Sequence, residues 1–189
     1  MANTSANVQE QTGTKTTWTI DPAHTNVNFS AKHMMVSTVR GHLGPISGAI
    51  ELDRNDFTNS EIEVVIDVAN LQTRDEKRDA HLRSGDFFDV ENFPSALFKS
   101  TRIERTGEDT YKVIGDLTVR NVTREVVLDT QFEGFASNPW GMNLVGFTAT
   151  TKLNRKDFGL NWNVALEAGG VLVGENIKLD IDVEAIEQQ

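Results

Sequence analysis

The sequence predicts an all-β protein: an antiparallel barrel of about eight strands, with one short helix inserted between the third strand and the fourth. Three observations predict it. Apolar and polar residues alternate with period two along most of the chain, as in strands with one face inside and one face out. The links between these runs are short and rich in turn residues, which favours antiparallel neighbours. A shift of parity at Gly44-Pro45, inside a long strand, suggests a bulge or bend that lets the sheet curl. Strand length and this bend tilt the choice from a sandwich to a closed or nearly closed barrel.

Residues 1–16 are polar with no apolar run and read as a flexible tail; 17–189 read as one domain. Trp18 and Ile20 alternate until Asp21-Pro22 interrupts. Val27, Phe29 and Ala31 then share one face. Beyond His33-Met34-Met35, Val39, Gly41 and Leu43 carry the apolar parity, which passes to Ile46, Gly48, Ile50 and Leu52 after the Gly-Pro step. Ile62, Val64, Ile66 and Val68 form the next strand. A strand over 96–105 follows the helical insert, with its parity obscured by the adjacent Leu97 and Phe98. Tyr111, Val113, Gly115, Leu117 and Val119 alternate cleanly, and Asn121 suits a left-handed turn position. Val126 to Phe132, Val145 to Leu153 and Ile177 to Ala185 complete the set, separated by the turn at 138–141 and an irregular stretch over 154–170.

The insert runs from Leu71 to Pro94, with its helix over Arg74 to Arg83. Thr73 and Glu76 have capping-box spacing, and Ser84-Gly85 offers a stop. Its apolar content is slight, so specific hydrogen bonds through Arg78, Asp79 and His81 are expected to tie it to the barrel. Phe87, Phe88 and Phe93, just beyond, are placed to supply an apolar seal, which makes the segment a plug or lid.

A net charge of −10 leaves no basic stripe for nucleic acid and disfavours anionic membrane surfaces. There is no cysteine, hence no disulfide, thiolate metal site or thiol nucleophile. No run has the length of a transmembrane helix and no secretory apolar segment is visible. The expected location is cytoplasmic, or periplasmic or secreted if a leader has been removed. His24, His33, His42 and His81 show no metal-ligand spacing, and no nucleophile elbow, phosphate loop or dinucleotide fingerprint occurs. A site built from His24, His33 and a helix carboxylate is the minority alternative.

Four motifs resemble one known family. They are WTIDPAHTNVNFSAKHMMVSTVRGHLGPISGAIELD, RDAHLRSGDFFDVENFPSALFKS, GDLTVRNVTREVVLD and RKDFGLNW, in that order along 17–185. They are similar to the YceI-like, polyisoprenoid-binding family, except that Asn121 stands where the family more often has glycine. The resemblance implies a lipocalin-like barrel that encloses an isoprenoid tail, often with two copies together; the expected role is binding or carriage with no catalysis. The ligand is then a polyisoprenoid or an isoprenoid quinone, with no cofactor. Apolar parity nominates Phe29, Val39, Leu43, Ile50, Val64, Val113, Leu117, Phe147, Ile177 and Leu179 as lining, with Phe87 and Phe88 at the closure. Gly41, Gly48, Gly115 and Gly146 either leave room in the bore or mark bulges and close packing. The rivals are an enzyme using His33, Asp79 and His81, and a stress-response interaction module.

Overall fold

The computed structural model describes residues 15–188. The expected tail therefore lies almost wholly outside the described residues, and Thr16 already belongs to a strand. Ten strand segments surround one α-helix: β1 (Thr16–Ile20), β2 (Asn26–His33), β3 (Ser37–Leu43), β4 (Ile46–Leu52), β5 (Glu61–Asp67), β6 (Ser95–Arg105), β7 (Thr110–Val119), β8 (Val122–Ser137), β9 (Asn143–Asn154) and β10 (Val173–Glu187), with α1 (Glu76–Arg83) between β5 and β6. Every pairing is antiparallel.

Ten segments make eight strands because two are interrupted. β1 and β2 lie end to end along β10, opposite Ala185–Glu187 and Val173–Asp182 respectively. β3 and β4 are the halves of a second strand, broken at Gly44-Pro45, and β4 pairs with β1 while β3 pairs with β2. The β1–β10 pairing closes the circuit.

β4 pairs onward with β5, but β5 ends at Asp67, so among the described residues the far edge of β3 has no strand beside it. The segment after β5 fills that place. His42 and Gln72 exchange backbone hydrogen bonds of 2.8 and 3.0 Å, and a Cβ at Gly41 would strike the Phe29 ring and the Thr73 methyl. The lone helix thus belongs to the connection that covers an otherwise open edge, a device that sheets commonly need.

Bulges explain the ambiguous parities. Ala96 and Phe98 point inward and Leu97 outward, until a register shift between Ser100 and Arg102 turns Ile103 inward. The glycines leave little free bore. The ring of Phe98 covers Gly115, Gly48 lies against the backbone of Glu63 and Val64 at φ +136°, and Gly146 has the parity opposite to the lining Phe147. The left-handed residue of the β7–β8 turn is Arg120, at φ +56°, rather than Asn121.

α1 is capped by Asp75, which accepts from the Arg78 N–H at 3.0 Å; this donation holds its carboxyl below the usual carboxylate range. The Thr73–Glu76 box does not form because Thr73 is engaged elsewhere. Its N–H donates to the buried Asp79 Oδ1 at 2.8 Å, as does its hydroxyl at 2.5 Å. Arg78 Nε and Nη2 in turn donate to Thr73 Oγ1 and O, each at 2.7 Å. Arg83 reaches Ala69 O and Leu71 O at 2.7 and 2.6 Å. The helix ends at Ser84 in extended backbone, so Gly85 is not the stop. Along α1 only Asp79 is buried; polar contacts hold the helix where an apolar stripe is missing.

Candidate functional site

Inward-facing side chains of the barrel enclose two adjoining cavities. The larger, about 490 Å³, lies at the end covered by α1; the smaller, about 140 Å³, runs toward the opposite end. Val27, Ile66, Leu117, Leu153 and Leu179 line both, which makes them the junction. The volume of the larger falls within the roughly 300–1,000 Å³ of ordinary small-ligand sites.

Of the nominated residues, Phe29, Val39, Leu43, Phe87, Phe88 and Ile177 line the larger cavity. Ile50, Val64, Val113 and Phe147 line the smaller, and Leu117 and Leu179 line both. Period-two parity in a closed barrel separates inside from outside, so strand residues were readable.

The ends are built from residues without such a period. Phe57, in a 3-10 turn between β4 and β5, closes the far end. Its ring centroid lies 5.5, 5.0, 6.2 and 5.9 Å from those of Tyr111, Phe132, Phe135 and Phe147. At the near end Trp162, from the irregular stretch, meets His81 at 4.4 Å and Phe87 at 5.5 Å between centroids. Phe57 does not stand out in the sequence, and Trp162 does so only as the last residue of the RKDFGLNW motif; an aromatic in a turn-rich or irregular segment carries no pattern that says which way it points.

Charge is confined to the near end. Among the described residues none that lines the smaller cavity is charged, whereas Lys32, His33, Asp75, Lys77, Arg78, His81 and Arg155 border the larger. Arg155 is buried and carries no carboxylate partner among the described residues. It donates instead to Leu160 O at 2.5 Å, Gly174 O at 3.0 Å and Val173 O at 3.3 Å. Burial lowers its pKa from the usual guanidinium value, yet an arginine so placed stays protonated at physiological pH.

The histidines do not converge as a catalytic or metal site would require. His33 and His81 both border the larger cavity, but the Asp79 carboxylate is occupied by Thr73. His24 precedes β2 and His33 ends it, and seven strand rises alone span roughly 23 Å. His24 sits instead between Asp21 and Glu184, with Nδ1 2.7 and 3.4 Å from their carboxylate oxygens. These three could hold a cation, since their ligand atoms lie within 4.8 Å of one another.

The hydrogen bond to Asp21 raises the His24 pKa and lowers that of Asp21. Protonated His24 therefore favours the folded state below its usual pKa, and the benefit is lost as pH rises through the raised value. A small decline in Tm over that window, absent in His24→Ala, is the expected result of a thermal melt series.

The YceI-like domain model matches residues 18–185. A UPF0312 protein of Staphylococcus aureus is 37% identical over 170 residues, covering 89% of this chain and 96% of its own. The chain belongs to the YceI-like family. Among solved structures, the YceI protein of Campylobacter jejuni superposes at a TM-score of 0.71 with 29% identity, over 84% of this chain and 90% of that one. A polyisoprenoid-binding domain of Saccharophagus degradans superposes at 0.69 over 92% and 100%, but at 14% identity that likeness is one of fold alone. The closed antiparallel barrel is thus the fold that this chain shares with its YceI neighbours.

Proposed function

We propose that this YceI-like protein binds a polyisoprenoid lipid, or the tail of an isoprenoid quinone, inside the barrel and performs no chemistry on it. The observation that carries the reading is the pair of adjoining cavities, about 490 and 140 Å³, lined by aliphatic and aromatic side chains along the barrel axis. A long, slender apolar chain fits such a bore. Polar groups gathered at one end suit a ligand with one polar head. The Saccharophagus domain, described as polyisoprenoid-binding, supports the same class of ligand.

Magnitudes are consistent with binding through apolar contact alone. At roughly 0.8 kcal/mol per buried CH₂, one isoprene unit contributes about 3–4 kcal/mol gross. About four units then match the upper end of an association cost of roughly 4–15 kcal/mol.

Solvent extraction of the purified protein followed by mass spectrometry tests the reading, and an isoprenoid is the expected product. Absence of any lipid, together with failure to take one up from detergent, would overturn it. Phe87 is buried in one cluster with Phe98, Leu117, Phe158 and Leu160, and Phe88 packs against that cluster. Phe87→Ala with Phe88→Ala should therefore release bound lipid during detergent dialysis that leaves the parent loaded. Equal retention would reduce these rings to structural packing.

A further inference from the structure

We propose that the β2–β3 tip seats this protein on a lipid bilayer, with Met34, Met35 and Val36 among the headgroups and the mouth of the larger cavity turned toward the membrane. The inference rests on the isoprenoid reading of the cavity, for which it supplies the loading face.

The tip is a tight turn, His33–Met34–Met35–Val36, closed by the Val36 N–H donating to His33 O at 3.1 Å. Met34 and Met35 stand at φ +49° and +60°. Both central positions of such a turn are left-handed, which Asn and Gly accept and large side chains resist. The barrel gains no compensating burial: Met34, Met35 and Val36 are 44, 62 and 85% exposed. Strained backbone that presents three consecutive apolar side chains to water points to a contact made outside the chain.

That surface is continuous with the cavity rim. The Met34 N–H donates to Leu172 O at 2.9 Å, and the Leu172 N–H donates to the carbonyl of the exposed Val164. His33 and Leu172 themselves border the larger cavity. The tip thus lies beside the rim, where Ala31, Val39 and Leu172 offer an entering apolar chain its first contacts inside the cavity.

Charge selects the occupant. Lys32 and Arg40 are diagonal neighbours on the outer face of the hairpin, and Lys77 borders the same mouth, with Asp75 the carboxylate beside it. None of the three enters an ion pair among the described residues. A second copy docked tip to tip would oppose like charges, whereas anionic headgroups complement them. The net charge of −10 opposes such a surface globally, so the local cations must act at contact range, within a Debye length.

The test is co-sedimentation of the full chain with vesicles of phosphatidylcholine containing a minority of phosphatidylglycerol. The parent should sediment with them. Met35→Ser with Val36→Ser, altered only at exposed positions, should lose about tenfold in vesicle affinity while its circular dichroism, Tm and isoprenoid uptake from detergent stay unchanged. A parent that stays in the supernatant, or a variant that sediments equally, overturns the inference. So does a parent dimer that the substitutions convert to monomer. Vesicle binding with no isoprenoid uptake from detergent would support the docking face and overturn the cavity reading.

Discussion

Arg155→Met is expected to cost about 3–5 kcal/mol of stability, since a hydrogen bond from a charged donor is worth about 1.5–3 kcal/mol and the carbonyls of Leu160 and Gly174 lose their side-chain donor. In a chain of this size the fall in Tm is about 6–20 °C. The guanidinium donates to the carbonyls of Leu160, Val173 and Gly174, of which only Val173 O has a second side-chain donor, Asn163 Nδ2 at 2.7 Å, and thereby clamps the irregular stretch onto the start of β10. Methionine fills similar volume but donates nothing. The damage should also reach the cavity, because Leu160, Trp162 and Leu172 line its wall from that stretch. Bound lipid should exchange faster even below the transition. Urea unfolding with Arg155→Lys beside Arg155→Met separates the terms: lysine keeps a donor but loses the planar fork, so partial recovery is expected. Full stability in Arg155→Met would show that the three carbonyls find other donors at little cost.

Arg155 also marks where the sequence stops being informative. Barrel interiors obey a binary rule, so alternation at Val27-x-Phe29-x-Ala31 or along Ile177 to Ala185 reveals which side chains face inward without any knowledge of partners. Bulges invert that rule locally, but apolar content on both flanks, as at Phe98 and Ile103, preserves enough signal to find the strand. Contacts that join distant segments leave no such trace. The partners of Arg155 lie 5 to 19 residues away, on carbonyls that every residue possesses. Trp162 and Phe57 close the two ends from segments with no period at all.

Capping at α1 shows competition between two local rules that both fit. Thr73-x-x-Glu76 has the spacing of a capping box, and Asp75 is an equally good cap two residues later. The buried Asp79 decides between them by drawing the Thr73 N–H and hydroxyl to itself. That burial is a tertiary fact, visible only once the helix lies against the barrel. The same fact removes Asp79 from a reaction centre with His33 and His81, for a carboxylate already accepting two hydrogen bonds at 8% exposure is a structural acceptor first.

Leu179→Trp should cut the bore in two. Leu179 projects from β10 between Phe29 of β2 and Thr151 of β9, and it lines both cavities. An indole there occupies the passage between them. In a packed core such an enlargement costs about 1–3 kcal/mol through strain. Beside an open passage the cost should be smaller, so stability serves as an internal check on whether the space is empty. Binding should respond to chain length. A ligand long enough to pass the junction loses contacts worth one or two isoprene units, which at roughly 3–4 kcal/mol gross each is a hundredfold or more in affinity. A ligand confined to the larger cavity should bind as it does to the parent. Ile177→Trp, two residues back and facing only the larger cavity, supplies the contrast: it should weaken short and long ligands alike. Competition with isoprenoids of graded length measures both variants. Equal affinity for every length in Leu179→Trp would place the ligand wholly on the near side of the junction, and the smaller cavity would then be packing space rather than part of the site.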